Sequence, residues 1–342
     1  MAKTCLYFAQ GRQESWLFLC NNTYMEKIMC HNFPTDFEKL LSACQLCPRQ
    51  CGINRLAGET GFCRAGLLPR VALASLHRWE EPCISGTRGS GAVFFAGCNL
   101  ACSYCQNQRI SQQDHGVSVS LERLAEIFLT QQNDGAHNLN LVTPTPYAPQ
   151  IIAALDLARQ SGFSLPVVYN TSAYESAETI QALQGWVDIY LPDLKYVSER
   201  LSLSLSQAPD YFFHAMNAID LMRTQVGPAE FDRDGLLRRG VLIRHLALPG
   251  QAEDSRLVLS AIHDRFGNET WFSLMNQYTP PASPQPLPEL NHRLSATEYD
   301  ALIDYALSLG LENGFVQDDG SASEKFIPDF NLDGVTTKGA LP

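Results

Sequence analysis

Three cysteines lie close together in the sequence, at Cys98, Cys102 and Cys105. Soft thiolate ligands select iron–sulfur clusters and zinc over harder metals. A [4Fe–4S] cluster held by three cysteines keeps one iron without a protein ligand, and that iron can bind a substrate, whereas a closed structural site has four protein ligands. The spacing therefore favours an open iron–sulfur centre. A zinc knuckle or a buried cysteine cluster is the alternative.

A second group of cysteines lies nearer the N-terminus, at Cys44, Cys47, Cys51 and Cys63. Four thiolates can complete a structural zinc site or ligate a second [4Fe–4S] cluster that relays electrons. The uneven gaps between these cysteines favour iron over a zinc ribbon, whose cysteines come in regular pairs. A simpler alternative is that Cys63 is not a ligand. The sequence predicts a metal-binding module here and leaves its metal open.

Short apolar runs alternate with helical patterns from residue 91 onwards. The predicted strands are 92–96, 139–143, 166–171, 187–191, 241–246 and 270–275, and the clearest predicted helices are 121–132, 148–160 and 176–183. Buried strands that alternate with helices are typical of a parallel sheet with right-handed crossovers. We therefore predict the α/β class and, because there are six such units, a partial (β/α)6 barrel.

The predicted boundaries divide the chain into four parts. Residues 1–38 have no clear hydrophobic period and carry isolated cysteines, which favours a poorly ordered extension. Residues 39–90 are predicted to form the small cysteine-rich module and the loop that leads into the barrel. Residues 91–315 are predicted to form the barrel, and residues 316–342 a C-terminal tail.

Polar side chains at the ends of the predicted strands are candidates for a binding site, because barrel active sites lie at the C-terminal ends of the strands. Asn170 belongs to a neutral polar cluster that suits ribose hydroxyls or a backbone turn. Asp193 and Lys195 are two residues apart and therefore point to the same side, where they could position one bound molecule or form an ion pair at the rim. Arg244 lies within an apolar strand and needs a negatively charged partner, because a buried unpaired charge is costly.

Composition restricts the class of protein. The chain has 342 residues, of which 45% are hydrophobic, and a formal net charge of −11. These values allow a large core and argue against a general nucleic-acid surface, which would be basic. No apolar run approaches the roughly 18 residues that a membrane span needs. Eleven cysteines, several at ligand spacings, are typical of metal sites in a reducing compartment. We therefore expect a cytoplasmic protein without a membrane partner, and the charge disfavours a nucleic-acid partner.

The cysteine spacing, Tyr104 before the third cysteine and Asn107 after it resemble the radical S-adenosylmethionine (SAM) superfamily. Longer motifs are similar to iron–sulfur proteins labelled as pyruvate formate-lyase activating enzyme homologues. Among them are Cys-Pro-Arg-Gln-Cys at 47–51, Asp-Leu-Lys at 193–195 and Arg-His-Leu at 244–246. This resemblance covers roughly residues 40–335.

The resemblance implies a [4Fe–4S] cluster on Cys98, Cys102 and Cys105, with an open iron that binds the amino and carboxylate groups of SAM. It further implies reductive cleavage of SAM to methionine and a 5′-deoxyadenosyl radical. In the activating enzymes that radical removes hydrogen from a glycine of a partner enzyme. The implied partners are thus a glycyl radical enzyme and a flavodoxin- or ferredoxin-type electron donor. Alternatives are radical modification of another protein, RNA or metabolite, and a non-catalytic iron–sulfur electron carrier.

One motif of the superfamily is missing. Many members carry a Gly-Gly-Glu-Pro run after the second strand, where this chain has Thr143-Pro-Thr145-Pro. We expect the Thr143 and Thr145 hydroxyls to replace the missing SAM contacts, unless the segment is only a rigid turn. The full set of predicted SAM-binding residues is Asn107, Thr143, Thr145, Asn170, Asp193, Lys195 and Arg244, with Arg244 assigned to the SAM carboxylate.

Overall fold

The computed structural model describes residues 40–317 and 327–336, and its central feature is a ten-stranded sheet. The strands are β1 (Arg70–His77), β2 (Ser90–Phe95), β3 (Val117–Ser118), β4 (Leu139–Val142), β5 (Val167–Thr171), β6 (Ile189–Pro192), β7 (Glu230–Phe231), β8 (Leu237–Leu246), β9 (Trp271–Met275) and β10 (Gly314–Val316). The predicted extension, residues 1–38, lies outside the described residues.

Helices connect most of the parallel strands. They are α1 (Pro82–Ser85), α2 (Gln108–Ser111), α3 (Leu121–Asn133), α4 (Ala148–Gln160), α5 (Ala177–Ala182), α6 (Glu199–Ser206), α7 (Tyr211–Val226), α8 (Ala252–Phe266) and α9 (Ala296–Ser308). Serine side chains cap the first turns of α3, α5, α6 and α9 by accepting a backbone N–H, which satisfies donors that have no partner inside the helix. No helix in the described part of the chain is long and apolar enough to cross a membrane.

The sheet is mostly parallel. Strands β2, β4, β5, β6, β8, β9 and β10 are neighbours in this order, and each pair is parallel. Strands β2 and β5 are buried along their full length, because helices cover such sheets. This arrangement confirms the predicted α/β class and is consistent with a partial barrel. It also places the carboxyl ends of all seven strands at one edge.

Four strands of the sheet were not predicted: β1, β10 and the two-residue strands β3 and β7. Arg70–His77, assigned from sequence to the cysteine-rich module, forms β1 and pairs antiparallel with β2. Gly314–Val316, at the predicted start of the tail, forms β10 and pairs parallel with β9. Both are edge elements of the seven-stranded parallel array. The apolar patterns of β1 and β10 are short or one-sided, so they indicate a strand less clearly than the apolar runs of the central strands do.

The C-terminal segment 327–336 lies along β1. The backbone N–H of Leu332 donates to the carbonyl of Ala72 at 3.1 Å, and that of Ala74 donates to the carbonyl of Asp333 at 2.9 Å. The Phe330 ring packs edge-on against Phe94 with 5.5 Å between ring centroids. This part of the tail is therefore built into the fold through backbone pairing and apolar contact.

Candidate active site and a second cysteine group

A cavity of about 340 Å³ opens at the carboxyl ends of the parallel strands. Cys98, Cys102 and Cys105 form part of its wall, because the loop that carries them follows directly after β2. Predicted site residues from other strand ends also line it, namely Asn107, Thr143, Asn170, Asp193, Lys195 and Arg244. The fold therefore brings these side chains into one cavity, although Asn107 and Arg244 are far apart in sequence.

Each thiol of the cavity has a polar neighbour. The N–H of Leu100 lies 3.4 Å from the Cys98 Sγ, the Cys102 Sγ lies 3.0 Å from the Ser206 Oγ, and the Cys105 Sγ lies 3.3 Å from the Ser111 Oγ. Hydrogen bonds to sulfur are among the groups that tune iron–sulfur clusters. Three thiols with such partners at one cavity wall are a donor set that fits a cluster with three cysteine ligands.

Burial disfavours the thiolate form of Cys98 and Cys102. It raises the pKa of Cys98 well above its usual range, and it raises the pKa of Cys102 to about 11 although the Lys195 charge opposes the shift. Metal ligation by cysteine needs thiolates, so binding would release protons. In the described part of the chain, no three His, Cys, Asp or Glu side chains already converge on a point that could hold a metal ion.

Tyr104 anchors the cysteine loop. Its buried hydroxyl hydrogen-bonds to the hydroxyl of Tyr196, which in turn lies 2.8 Å from the Ser206 Oγ. Ser206, in α6, also contacts Cys102. Tyr104 is therefore linked to Cys102 through the side chains of Tyr196 and Ser206. Tyr104 thus ties the cysteine loop to the segment that follows β6.

An ion network lines the same cavity. Arg244 donates from Nε to Asp193 Oδ1 at 2.9 Å, from Nη1 to Glu80 Oε2 at 3.1 Å and from Nη2 to Asn170 Oδ1 at 2.5 Å. Lys195 Nζ donates to Asp193 Oδ2 at 2.8 Å. Burial alone would raise the pKa of Asp193, but Arg244 and Lys195 outweigh it and lower that pKa. Asp193 is therefore held ionised between two cations.

The network changes the interpretation of Arg244. Its guanidinium pairs with Glu80 and Asp193, so two protein carboxylates balance its buried charge. The predicted contact with a SAM carboxylate stays a prediction. Burial opposes charge on Arg244, yet Asp193 and the neighbouring glutamates keep its pKa above the usual value. The predicted ion pair between Lys195 and Asp193 is present, and their common side was predicted from the spacing.

Glu80 and Glu81 also line the cavity, although neither is in the predicted set of SAM-binding residues. Glu80 Oε1 accepts a hydrogen bond from Asn140 at 3.0 Å. Burial raises the pKa of Glu81, an effect that Arg244 opposes, and the Glu81 Oε2 is a buried oxygen without a hydrogen-bond partner among the described residues. Three carboxyl groups (Glu80, Glu81 and Asp193) therefore face two cations in this cavity.

The two threonines of the missing motif point to different places. Thr143 lines the cavity and has a φ of 58°, which is strained for a β-branched residue. Thr145 is buried beside the second cysteine group, where its Oγ1 donates to Glu175 Oε1 at 2.6 Å. The structure therefore brings Thr143 together with the other predicted residues and leaves Thr145 outside the cavity. Burial raises the pKa of Glu175 to about 7.

Two further residues near the cavity have structural partners. The buried His245 ring bonds to the Leu194 carbonyl at 2.8 Å and to the Ser255 Oγ at 2.9 Å, and burial lowers its pKa to about 4. Cys83 packs in an apolar cluster with Val168 and Ile189 instead of facing the cavity. These two side chains are therefore part of the core.

The second cysteine group lies beside the first. Cys44, Cys47, Cys51 and Cys63 line a cavity of about 10 Å³ together with Arg49 and Arg55. Burial raises the pKa of Cys47 to about 12 and also raises that of Cys63. The four cysteines predicted to share a metal therefore do share one small cavity.

The module that carries these cysteines touches the loop of the first group. Arg49 Nε donates to the Asn99 carbonyl at 3.0 Å. A Cβ added at Gly97 would lie 2.4 Å from the Cys63 carbonyl oxygen, and Gly97 has a φ of 90°. Only glycine allows this approach. Gly97 and Asn99 flank Cys98, so the module that carries the second cysteine group directly contacts the backbone around Cys98.

A family model matches the part of the chain that carries the first cysteine group. Residues 92–255 match the family model described as the radical SAM superfamily. An uncharacterised protein of Methanocaldococcus jannaschii, MJ0674, is 28% identical over 287 residues, which are 80% of this chain and 77% of the relative.

Solved structures are similar at low identity. Streptococcus suis SuiB bound to precursor peptide SuiA has a TM-score of 0.46 and 12% identity, covering 66% of this chain and 47% of SuiB. Methylornithine synthase (PylB) has a TM-score of 0.46 and 14% identity, covering 70% of this chain and 66% of that protein. The chain thus spans about half the length of SuiB.

The family match begins within β2 and includes Cys98, Cys102 and Cys105. It implies a [4Fe–4S] cluster and SAM as cofactors, in agreement with the donor set in the cavity wall. The chain therefore carries a radical SAM domain over residues 92–255.

Proposed function

We propose that this cytoplasmic enzyme cleaves SAM reductively in the strand-end cavity and uses the radical to remove hydrogen from a glycine of a partner enzyme. The observation that supports the site is the cavity itself, with three cysteines, Asp193 and Lys195 in its lining. When bound there, the cluster and SAM supply the chemistry, because one electron from a flavodoxin- or ferredoxin-type donor yields methionine and a 5′-deoxyadenosyl radical.

The chain's own residues bind and orient SAM in this proposal. The excess of carboxyl groups among Glu80, Glu81 and Asp193 suits the positively charged sulfonium and ammonium groups of SAM. Asn107 and Asn170 offer amide groups, and Thr143 offers a hydroxyl, at the same cavity. Lys195 remains a candidate partner for the SAM carboxylate, because it has a single carboxylate partner, Asp193.

A protein substrate is supported by the mouth of the cavity. Trp79 belongs to its lining and is 62% exposed. Large aromatic side chains that remain accessible are enriched where proteins contact one another. A glycine-bearing loop of a partner enzyme could pack on Trp79 while its reactive carbon reaches inward.

The first test measures SAM cleavage by the full chain. Anaerobic protein reconstituted with iron and sulfide, then incubated with SAM and dithionite, should form 5′-deoxyadenosine, and a Cys98→Ala variant should not. Absence of the product from the reconstituted wild type would refute the proposed reaction. An electron carrier would be reduced by dithionite and would leave SAM intact.

The second test identifies the hydrogen donor. Electron paramagnetic resonance of a mixture with a candidate glycyl radical enzyme should show a glycyl radical that depends on SAM. If 5′-deoxyadenosine forms but no glycyl radical enzyme encoded in the same genome acquires a radical, the substrate proposal is wrong. Another protein, an RNA or a metabolite would then be the donor.

A further inference from the structure

Arg55 is a buried cation without an anionic partner. Its side chain is 1% exposed. The guanidinium donates from Nε to the Gly66 carbonyl at 3.1 Å and from Nη1 to the Pro146 carbonyl at 2.6 Å, and Nη2 also contacts the Gly66 carbonyl. None of the ion pairs found within the described ranges includes Arg55. A buried charge is costly unless it is paired, so this site calls for a negative charge nearby.

The wall that contains Arg55 also contains the four thiols of the second cysteine group. They are Cys44, Cys47, Cys51 and Cys63. Four thiolates around a divalent zinc ion, or around an oxidised [4Fe–4S] core of charge 2+, leave a net charge of 2− on the centre. Such a centre would supply the anion that Arg55 lacks. The unpaired charge of Arg55 therefore fits an anionic centre at these four thiols.

We propose that Cys44, Cys47, Cys51 and Cys63 hold a tetrathiolate metal centre, that Arg55 is its counter-ion, and that the centre braces the loop carrying Cys98. The bracing follows from two contacts described above, between Cys63 and Gly97 and between Arg49 and Asn99. A fixed Cys63 backbone limits where Gly97 can lie, and the position of Gly97 sets the start of the catalytic loop. The bracing role rests on the proposed function, whereas metal binding does not.

Metal content tests the centre directly. The full chain with Cys98, Cys102 and Cys105 replaced by alanine, purified without oxygen, should retain either one zinc or about four irons per chain. A further Cys44→Ala substitution should remove that metal, and a Cys83→Ala substitution in the apolar core should not. The type of metal distinguishes zinc from a cluster. A folded protein without bound metal would overturn the proposal.

Arg55 variants test the counter-ion. In the same background, Arg55→Met should lose metal to a competing chelator at concentrations about 10- to 100-fold lower than the parent, the usual effect of losing an outer-shell partner. Arg55→Lys should restore much of the resistance because it restores the charge. Arg223→Met is the control, since Arg223 contacts Thr270 far from the module. Equal resistance in parent and Arg55→Met would overturn the assignment. Circular dichroism shows whether Arg55→Met folds. If it does not fold, Arg55→Lys is compared with Arg223→Met: weaker metal retention by Arg55→Lys supports the counter-ion assignment, and equal metal retention overturns it.

The bracing role is tested with the three catalytic cysteines intact. A Cys44→Ala variant should bind fewer irons at the first group or show an altered electron paramagnetic resonance signal on addition of SAM. An unchanged signal would overturn the bracing role. A wild type that holds the second metal but never cleaves SAM would refute the proposed function alone, so the two failures are distinguishable.

Discussion

Replacement of Arg244 by methionine should reveal how much the ion network stabilises the fold. The variant keeps a long apolar stem but removes the cation shared by Asp193, Glu80 and Asn170. The Arg244 and Glu80 side chains are each 11% exposed, so water cannot fully replace the lost partner. Removal of one member of a buried ion pair costs about 3–5 kcal/mol. We expect a loss of that size in the free energy of unfolding.

The assay is denaturant unfolding of the metal-free full chain without oxygen, followed by circular dichroism. Arg265→Met is the matched control, because Arg265 pairs with Asp220 at 2.5 Å but is 60% exposed. Exposed pairs contribute about 0–1 kcal/mol. If Arg244→Met lost no more stability than Arg265→Met, the argument from burial would be refuted.

The same network predicts a pH dependence. The folded-state pKa of Asp193 lies below its usual value, so its contribution to stability is present above the unfolded pKa of about 3.9 and is lost as the pH falls through the folded value. The stability difference between wild type and Asp193→Asn should therefore shrink below about pH 4. A difference that stays constant through this range would contradict the predicted ionisation.

Two further variants test strained or buried positions. Burial raises the pKa of Glu175 to about 7, so ionisation of Glu175 opposes folding as the pH rises from about 4.5 to 7. Across that range, the free energy of unfolding of Glu175→Gln should increase relative to wild type by up to about 3 kcal/mol. An increase that does not depend on pH would count against burial as the cause. Thr143→Gly should relieve the strain of the positive φ and raise the free energy of unfolding by about 1 kcal/mol. The control Thr130→Gly, within α3, should lower the free energy of unfolding by about as much. Equal losses of stability in both variants would argue against strain at Thr143.

The central strands and the cysteine loop could be predicted from sequence. The run 139–143 is mostly apolar, and its strand β4 is buried along its whole length, as expected for a parallel sheet with covered faces. The predicted helix 148–160 matches α4 in full. The strand-end rule brought Asp193, Lys195 and Arg244 to one site before any contact was known.

Partners that are distant in sequence could not be predicted. Glu80 precedes the first predicted strand, and only the pairing of β1 with β2 brings it to Arg244. Arg55 begins a short 3-10 turn in the cysteine-rich module, and its carbonyl partner Pro146 belongs to the barrel. Thr145 follows Thr143 by two residues, but a short 3-10 turn over Thr145–Tyr147 directs its side chain to Glu175. In each case tertiary packing, not local pattern, selects the partner.

The segment 327–336 has a consequence for the order in which the site is assembled. Ile327 and Pro328 line the cavity, and Leu332 pairs with Ala72, about 260 residues earlier in the chain. During synthesis, β1 therefore emerges long before the segment that covers it, with its edge open to pairing with other chains. The cysteine loop is likewise synthesised before Ile327 and Pro328, so a ribosome-bound chain would have that loop without this part of the cavity wall.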